Sequence, residues 1–313
     1  MIRAANTTKS PYKIFLMVTK GFPDYALLDS GHRRRLERFG HLTVNRPEPQ
    51  AIWSPHQEAS VWETADATFH SHKGTPTGHW DFRRPLPETW DVRIDNTLIA
   101  CKFGSFSHIG VFPEQYPHWQ YITNIIRYFK NSHPHILNLF GYTGVASLLA
   151  VTAGAKVTHV DASRKAIAWG RWNQSLAGLQ GAPIRWILDD ARKFAAREVR
   201  RQQRYHGVLL DPPKSGHGPE GESWNLLQDL PALLQNCEHL LEPRGAFLLL
   251  TTYAMRASSL SFDCLVREIF VARGGHFESG ELLLQEVRTG RVLPTSLFTR
   301  WRSNELYSRI VTQ

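Results

Sequence analysis

From His135 onward, short apolar runs alternate with longer segments of helical period, and this alternation constrains the 313-residue chain more than any other feature. His135–Phe140, Ile184–Leu188, Gly207–Asp211 and Ala246–Thr252 have strand length and are mostly apolar, and Lys156–Asp161, with Val157 and Val160, has the same length. Such near-continuous apolar runs suit strands covered on both faces. Between them lie helical stretches near Val145–Ala153, Ser163–Ala177, Ala191–Arg204 and Trp224–Leu241. The order βαβαβαβαβ predicts an α/β fold built on a doubly wound parallel sheet. Leu282–Val287 and Arg291–Phe298, joined by Arg288-Thr289-Gly290, read as a C-terminal antiparallel hairpin that completes the sheet.

Residues 1–100 have another texture, rich in Pro, His, Trp and Thr, with short alternating segments such as His41–Val44 and Val92–Ile99. They predict a small β-rich accessory domain beside a main domain over 101–313. With 42% apolar and 21% charged residues, the chain is ordinary globular material and not a disordered one. Its longest apolar run near the start, Ile14–Val18, is too short for a membrane span or a signal-peptide core. Arg3, Lys9, Lys13 and Lys20 precede the first acidic residue, Asp24, as they would in a targeting leader. Ile14–Val18 nevertheless reads better as a first strand, so a cytoplasmic protein is expected. The three cysteines, Cys101, Cys237 and Cys264, are odd in number and widely spaced, which fits a reducing compartment and offers no CxxC metal pair. His70, His72 and His79 fall close together without an Asp or Cys at ligand spacing, so a polar loop is favoured and no metal is expected.

In an open sheet of this kind, ligands bind beyond the carboxyl ends of the strands, where the strand order switches. The first strand runs through Phe140 into Gly141-Tyr142-Thr143-Gly144, whose glycines permit a tight turn and a close ligand approach. Helix–strand packing alone also uses such turns, and the third glycine of GxGxxG is absent. Asp161 ends the second strand, where a carboxylate can accept both ribose hydroxyls of a nucleoside-like ligand. Asp189-Asp190 ends the third: one carboxylate can meet an adenine amino group, while capping the helix near Ala191 is the other available role. Asp211-Pro212-Pro213-Lys214 ends the fourth, and its two prolines fix the backbone and remove two amide donors, leaving an acceptor-rich wall. Each site alone is a weak signal; their coincidence at successive strand ends is a strong one.

On Asn138–Gly144, Asp161-Ala162-Ser163 and Asp211–Lys214, the chain resembles the class I, Rossmann-like methyltransferases. More narrowly it is similar to the large-subunit ribosomal RNA methyltransferases that include cytosine-C5 and guanine-N7 enzymes. Gly110-Val111-Phe112-Pro113-Glu114-Gln115 looks like the segment lining that group's cofactor pocket. The resemblance implies S-adenosyl-L-methionine as cofactor, with Gly141, Thr143 and Gly144 around its methionine part. It places Asp161 on the ribose with Ala162 and Ser163 beside it, Asp190 (next to Asp189) at the adenine, and Phe112, Glu114 and Gln115 along the pocket. Asp211, Pro212 and Pro213 would face the methyl group as the catalytic wall. Acidic strand ends and the rings of Phe112, Phe140 and Tyr142 suit a sulfonium cation.

Cytosine-C5 members of that group use a cysteine just after the fifth strand, where this chain has Thr251-Thr252-Tyr253-Ala254. The three cysteines are expected to be small buried residues instead. Without a thiolate, transfer to a ring or exocyclic nitrogen is expected, the lone pair attacking once it is positioned and desolvated. The base would be single-stranded or flipped, and His217, Trp224, Tyr253 and Phe298 are available to stack on it, although each taken singly fits a core better.

The net charge of +9 is gathered in Arg33, Arg34, Arg35 and Arg38, and again in Arg192, Lys193, Arg197, Arg200, Arg201 and Arg204. Such a balance favours a polyanion, with Arg33, Arg34, Arg35 and Lys214 as RNA-binding candidates, while the second cluster also reads as a solvated helix face. The expected function is methylation of a ribosomal RNA base. The same cofactor residues would serve a small-molecule or protein methyltransferase. A non-catalytic RNA-binding module would not need Asp161, Asp190 and Asp211 intact.

Overall fold

The computed structural model describes residues 12–72, 75, 77–129, 133–253 and 257–311, so Arg3, Lys9 and Ala254 lie outside the described residues. β1 (Ile14–Thr19) precedes β2 (Tyr25–Gly31), β3 (Arg34–Phe39), β4 (Leu42–Pro47), α1 (Ala59–Glu63), β5 (Ala67–Ser71) and β6 (Gly78–Phe82). Strands β2 to β6 form one sheet in sequential order, followed by a hairpin of β7 (Thr89–Ile94) and β8 (Thr97–Lys102). α2 (Tyr116–Arg127) leads into β9 (His135–Leu139), α3 (Val145–Thr152), β10 (Lys156–Asp161), α4 (Arg164–Leu176), β11 (Ile184–Leu188), α5 (Ala191–Arg200) and β12 (Gly207–Leu210). A short hairpin, β13 (Ser215–His217) and β14 (Ser223–Asn225), precedes α6 (Leu226–Leu240), β15 (Phe247–Tyr253), α7 (Ser259–Ile269), β16 (His276–Gln285), β17 (Val292–Arg302) and α8 (Asn304–Val311).

The large sheet has eight strands in the order β1-β16-β17-β15-β12-β9-β10-β11. β15, β12, β9, β10 and β11 are parallel neighbours, and β17 runs antiparallel to β15 and β16. Alternate side chains explain the unbroken apolar runs. Leu137, Leu139, Val208, Leu210, Leu248 and Leu250 pack with Phe194 of α5 and Leu230 of α6, whereas Ile136, Leu209, Phe247 and Leu249 pack with Ile122 of α2 and Ala150 of α3. Each fully buried Leu or Ile contributes roughly 1.5–3 kcal/mol. The expected C-terminal hairpin is present and longer than read, over β16 and β17. No helix among the described residues is long and apolar enough to cross a membrane.

β1 departs from the expected accessory segment 1–100, for it pairs with β16 in the large sheet. Gly280 permits this approach: a Cβ there would lie 1.8 Å from the Phe15 carbonyl oxygen. The Leu27 carbonyl of β2 then accepts from the Val287 amide at 3.0 Å, joining the smaller sheet to the end of β16.

Candidate active site

β10 and β11 lie on one side of β9, and β12 and β15 on the other, so the strand order switches between β9 and β12. The crevice expected beyond such a switch is there. It is a cleft of about 370 Å³, within the usual range for small-molecule sites, lined among others by Phe112, Tyr142, Asp161, Asp190, Asp211 and Tyr253. A smaller recess of about 60 Å³ adjoins it between Gly141 to Thr143 and His118 with Thr251.

The turn after β9 is strained. Phe140 (φ 58°) and Tyr142 (φ 51°) both adopt left-handed backbone, which costs of order 1–3 kcal/mol per residue. Asp161 offsets part of that cost, since its Oδ2 accepts from the Tyr142 amide at 2.9 Å and its Oδ1 from the Ser163 amide at 2.8 Å. Thr143 Oγ1 donates to the Gly110 carbonyl at 2.7 Å, tying the 110–115 segment to the turn. Gly141 must be glycine because a Cβ would lie 2.3 Å from the His159 ring. At Gly144 (φ +84°) a Cβ would lie 2.6 Å from the Trp186 ring, so packing as well as backbone conformation requires glycine there, and Gly144 is not among the residues that line the cleft.

Burial raises the Asp161 carboxyl above its ordinary value, and the two amides pull it back only in part. Each carboxylate oxygen keeps a further lone pair for a diol. Ala162 and Ser163 also line the cleft, and Ser163 Oγ caps α4 by accepting from Ala166 at 3.2 Å. Of the two acidic residues after β11, Asp190 is the helix cap, accepting from the amides of Arg192 (2.9 Å) and Lys193 (3.1 Å). Asp189 pairs with Arg197, and both aspartates border the cleft.

Asp211 Oδ2 accepts from Gln115 Nε2 at 3.0 Å, and Gln115 Oε1 lies 2.9 Å from His118 Nδ1. The Asp211 carboxyl is pushed up to about 7, chiefly by burial and then by the nearby Glu114 carboxylate, against the Gln115 bond. Glu114 is 1% exposed, its Oε2 has no hydrogen-bond partner among the described residues, and burial raises its carboxyl too. Trp224 Nε1 donates to the Pro213 carbonyl at 2.7 Å while its ring sits 5.0 Å from that of Phe140, so this buried indole braces the Asp-Pro-Pro corner. Acidic residues and the Phe112–Tyr142 ring pair, with centroids 5.5 Å apart, give the cleft a donor set suited to a nucleoside carrying a positive sulfur.

Tyr253 and His217 line the cleft, and Lys214 is exposed outside it. Phe298 is a correction: it is 1% exposed, in the core against His118, and cannot stack on a ligand. Cys101 and Cys237 are buried as expected, whereas Cys264 is exposed on α7; none of the three lines the cleft. His108, 5.1 Å from the Phe112 ring, and Ser296 line the cleft without any local sequence signal. Cross-strand pairing also brings Asp81 to His70 (3.2 Å) and His79 (3.5 Å), a proximity that sequence spacing hides.

The arginine expectation needs the largest correction. Arg33 is exposed, but Arg34 donates to Asn45 Oδ1 (2.6 Å) and the Phe69 carbonyl (3.0 Å), and Arg35 is 4% exposed between Glu37 (3.3 Å) and Glu48 (3.6 Å). β3 lies inside its sheet and is covered on both faces, so Arg34 and Arg35 hold the fold together and are not a surface turn. Most of the α5 cluster is paired at the surface: Arg192 with Asp190 and Asp229, Lys193 with Glu220 and Glu222, and Arg201 with Glu198, whereas Arg200 is exposed.

A switch-point cleft with a carboxylate closing β10 and a braced Asp-Pro-Pro corner closing β12 defines a Rossmann-like methyltransferase. The chain belongs to the S-adenosylmethionine-dependent methyltransferase family, whose model matches residues 53–275. It is 46% identical to the S-adenosylmethionine-dependent methyltransferase from Agrobacterium tumefaciens, with a TM-score of 0.90 over 93% of this chain and 94% of that one. SMU.776, solved with SAH, shares the fold at 14% identity, with a TM-score of 0.70 over 89% of this chain and 75% of that one. Ribosomal RNA large subunit methyltransferase K/L from Shewanella frigidimarina is 35% identical over 121 residues, which is 38% of this chain but only 17% of that relative.

Proposed function

We propose that this methyltransferase acts in the cytoplasm on a base of ribosomal RNA and transfers the methyl group to a nitrogen. The observation that carries the reading is the Asp211-Pro212-Pro213 corner, with Glu114 beside it, in a cleft that no cysteine lines. Asp161 would hold the ribose, Asp189 and Asp190 border the adenine, and Gly141 and Thr143 enclose the methionine part next to Phe112, Gln115 and Tyr142. The cofactor supplies an electrophilic methyl group when bound. Asp211 accepts an N–H of the base and aims the nitrogen lone pair at the methyl carbon. With that methyl donor bound, the N–C bond would form as the S–C bond broke, and the Asp211 carboxylate would take up the surplus nitrogen proton. Tyr253 and His217 are placed at the cleft to stack on the base. The RNA assignment draws on the name of the relative above and on the net charge of +9.

Mass spectrometry of ribosomal RNA bases with and without the gene tests the substrate: loss of one N-methylated base is expected, and an unchanged profile would refute it. Replacing Cys101, Cys237 and Cys264 together by serine is expected to leave methyl transfer within a few-fold of wild type, because no thiolate attacks the base. A folded but inactive triple variant would restore a cysteine mechanism.

The raised Asp211 carboxyl sets a pH dependence. Below about 7 it is protonated and neutral; above it is an anion facing the methyl donor. A sulfonium cation favours the anion, so S-adenosylmethionine should bind more tightly as pH rises through that value, taking one proton off the protein. S-adenosylhomocysteine, which lacks the charge, should show a flatter profile. Calorimetry on both ligands checks this, and parallel pH profiles would separate Asp211 from the sulfonium.

A further inference from the structure

Most arginines of the two sequence clusters already have partners, either buried in β3 or in surface pairs along α5, and unpaired exposed positive charge also gathers elsewhere. Arg164 and Arg171 stand two turns apart on one face of α4. Both are exposed, and neither has an ion pair or hydrogen bond among the described residues. With Ile167, Ala168, Trp186 and Leu188 they line an open groove of about 300 Å³ between α4 and β11, the outermost strand of the large sheet. No carboxylate lines it. Its indole floor is fixed: Trp186 Nε1 donates to Gln174 Oε1 at 2.8 Å, and the ring lies so close over Gly170 that a Cβ there would come within 2.4 Å. Lys165 and Trp172, on the neighbouring stripe of the same helix, are exposed as well. The groove begins where the cofactor cleft ends, since Ser163 lines the cleft and Arg164 follows it.

We infer that this groove docks a single-stranded stretch of the RNA substrate outside the cleft, at a distance from the target base, an inference that rests on the RNA reading above. Paired guanidiniums over an aromatic floor match the chemistry of a single strand, whose phosphates meet the cations and whose base faces are free to stack. A duplex hides those faces. Phosphate contacts release counterions, so each contributes about 0.7 to the slope of log affinity against log salt on a single strand.

The test is the double variant Arg164→Gln/Arg171→Gln, which removes both charges while keeping residues of good helix propensity. Calorimetry with S-adenosylmethionine monitors the intact fold and should give the wild-type affinity. On single-stranded ribosomal RNA fragments the salt slope should fall by about 1.4, for two lost contacts, with weaker binding at low salt. On a duplex of the same sequence the two proteins should differ little. If wild type binds the single strand with a clear salt slope and the variant matches it, the groove proposal falls and the RNA reading stands. If wild type itself shows no salt-dependent RNA binding, the RNA reading falls and the groove with it.

Discussion

Asp161→Ala is expected to weaken S-adenosylmethionine binding by an order of magnitude or more. A charged acceptor lost from a hydrogen-bonded hydroxyl is worth roughly 1.5–3 kcal/mol. The structure adds a second contribution that the sequence does not show. The same carboxylate holds the Tyr142 amide at 2.9 Å, in a turn where Phe140 and Tyr142 both sit in left-handed backbone. Without it the turn can relax away from the conformation that shapes the cleft. Asp161→Asn separates the two effects, because its amide oxygen can still accept from Tyr142 while the charge is gone. Calorimetry should rank wild type above Asn above Ala. Equal affinities would mean that the ribose is held elsewhere and that the turn needs no anchor.

The alternating sheet was legible because its signal is local. Residues such as Leu137 and Leu209 are apolar whichever face they take, and a strand buried on both faces leaves that trace in any short window. Asp161, Asp190 and Asp211 were legible for a related reason: polar residues that end apolar runs mark the carboxyl edge of a parallel sheet. What stayed hidden depends on contacts between distant segments. Ser296 reaches the cleft because β17 runs antiparallel beside β15 and sets it opposite Tyr253, and His108 reaches it from the segment that follows β8. Gly144 reads as a ligand glycine in a motif, yet its space is taken by Trp186 from two strands away.

Charge was the least legible property, because a run of arginines looks alike whether it is solvated or paired. Arg35 alternates with Glu37 along β3, and the register sets Arg35 opposite Arg46 of β4. Nothing in residues 33–38 alone shows that both faces of that strand are covered. Arg164 and Arg171 are too widely spaced to register as a cluster, and only the helical period joins them.

Glu37→Gln is expected to destabilise the protein by about 3–5 kcal/mol, the range for breaking a buried ion pair by removing one partner. Glu37 is wholly buried and accepts from Arg46 Nε at 2.6 Å and Nη2 at 3.0 Å and from the Tyr25 hydroxyl at 3.0 Å, with Arg35 Nε at 3.3 Å. Burial by itself would raise its carboxyl, but Arg35 and Arg46 outweigh burial and hold it below the ordinary value of 4.5. The amide would leave two guanidiniums buried around a neutral group, one of them bonded onward to the Ser107 carbonyl near the cleft. The sign of the pH effect follows from the lowered value. The stabilisation is fully present above the unfolded carboxyl's titration and is lost as pH falls through the folded one. Wild type should therefore lose stability in acid over that window, and Glu37→Gln should start lower and lose less. Urea unfolding at neutral and acidic pH reads both effects. A loss below about 1 kcal/mol at neutral pH would mean that the ion pairs around Glu37 contribute little net stability, and the assignment of Arg35 to holding the fold together would fall.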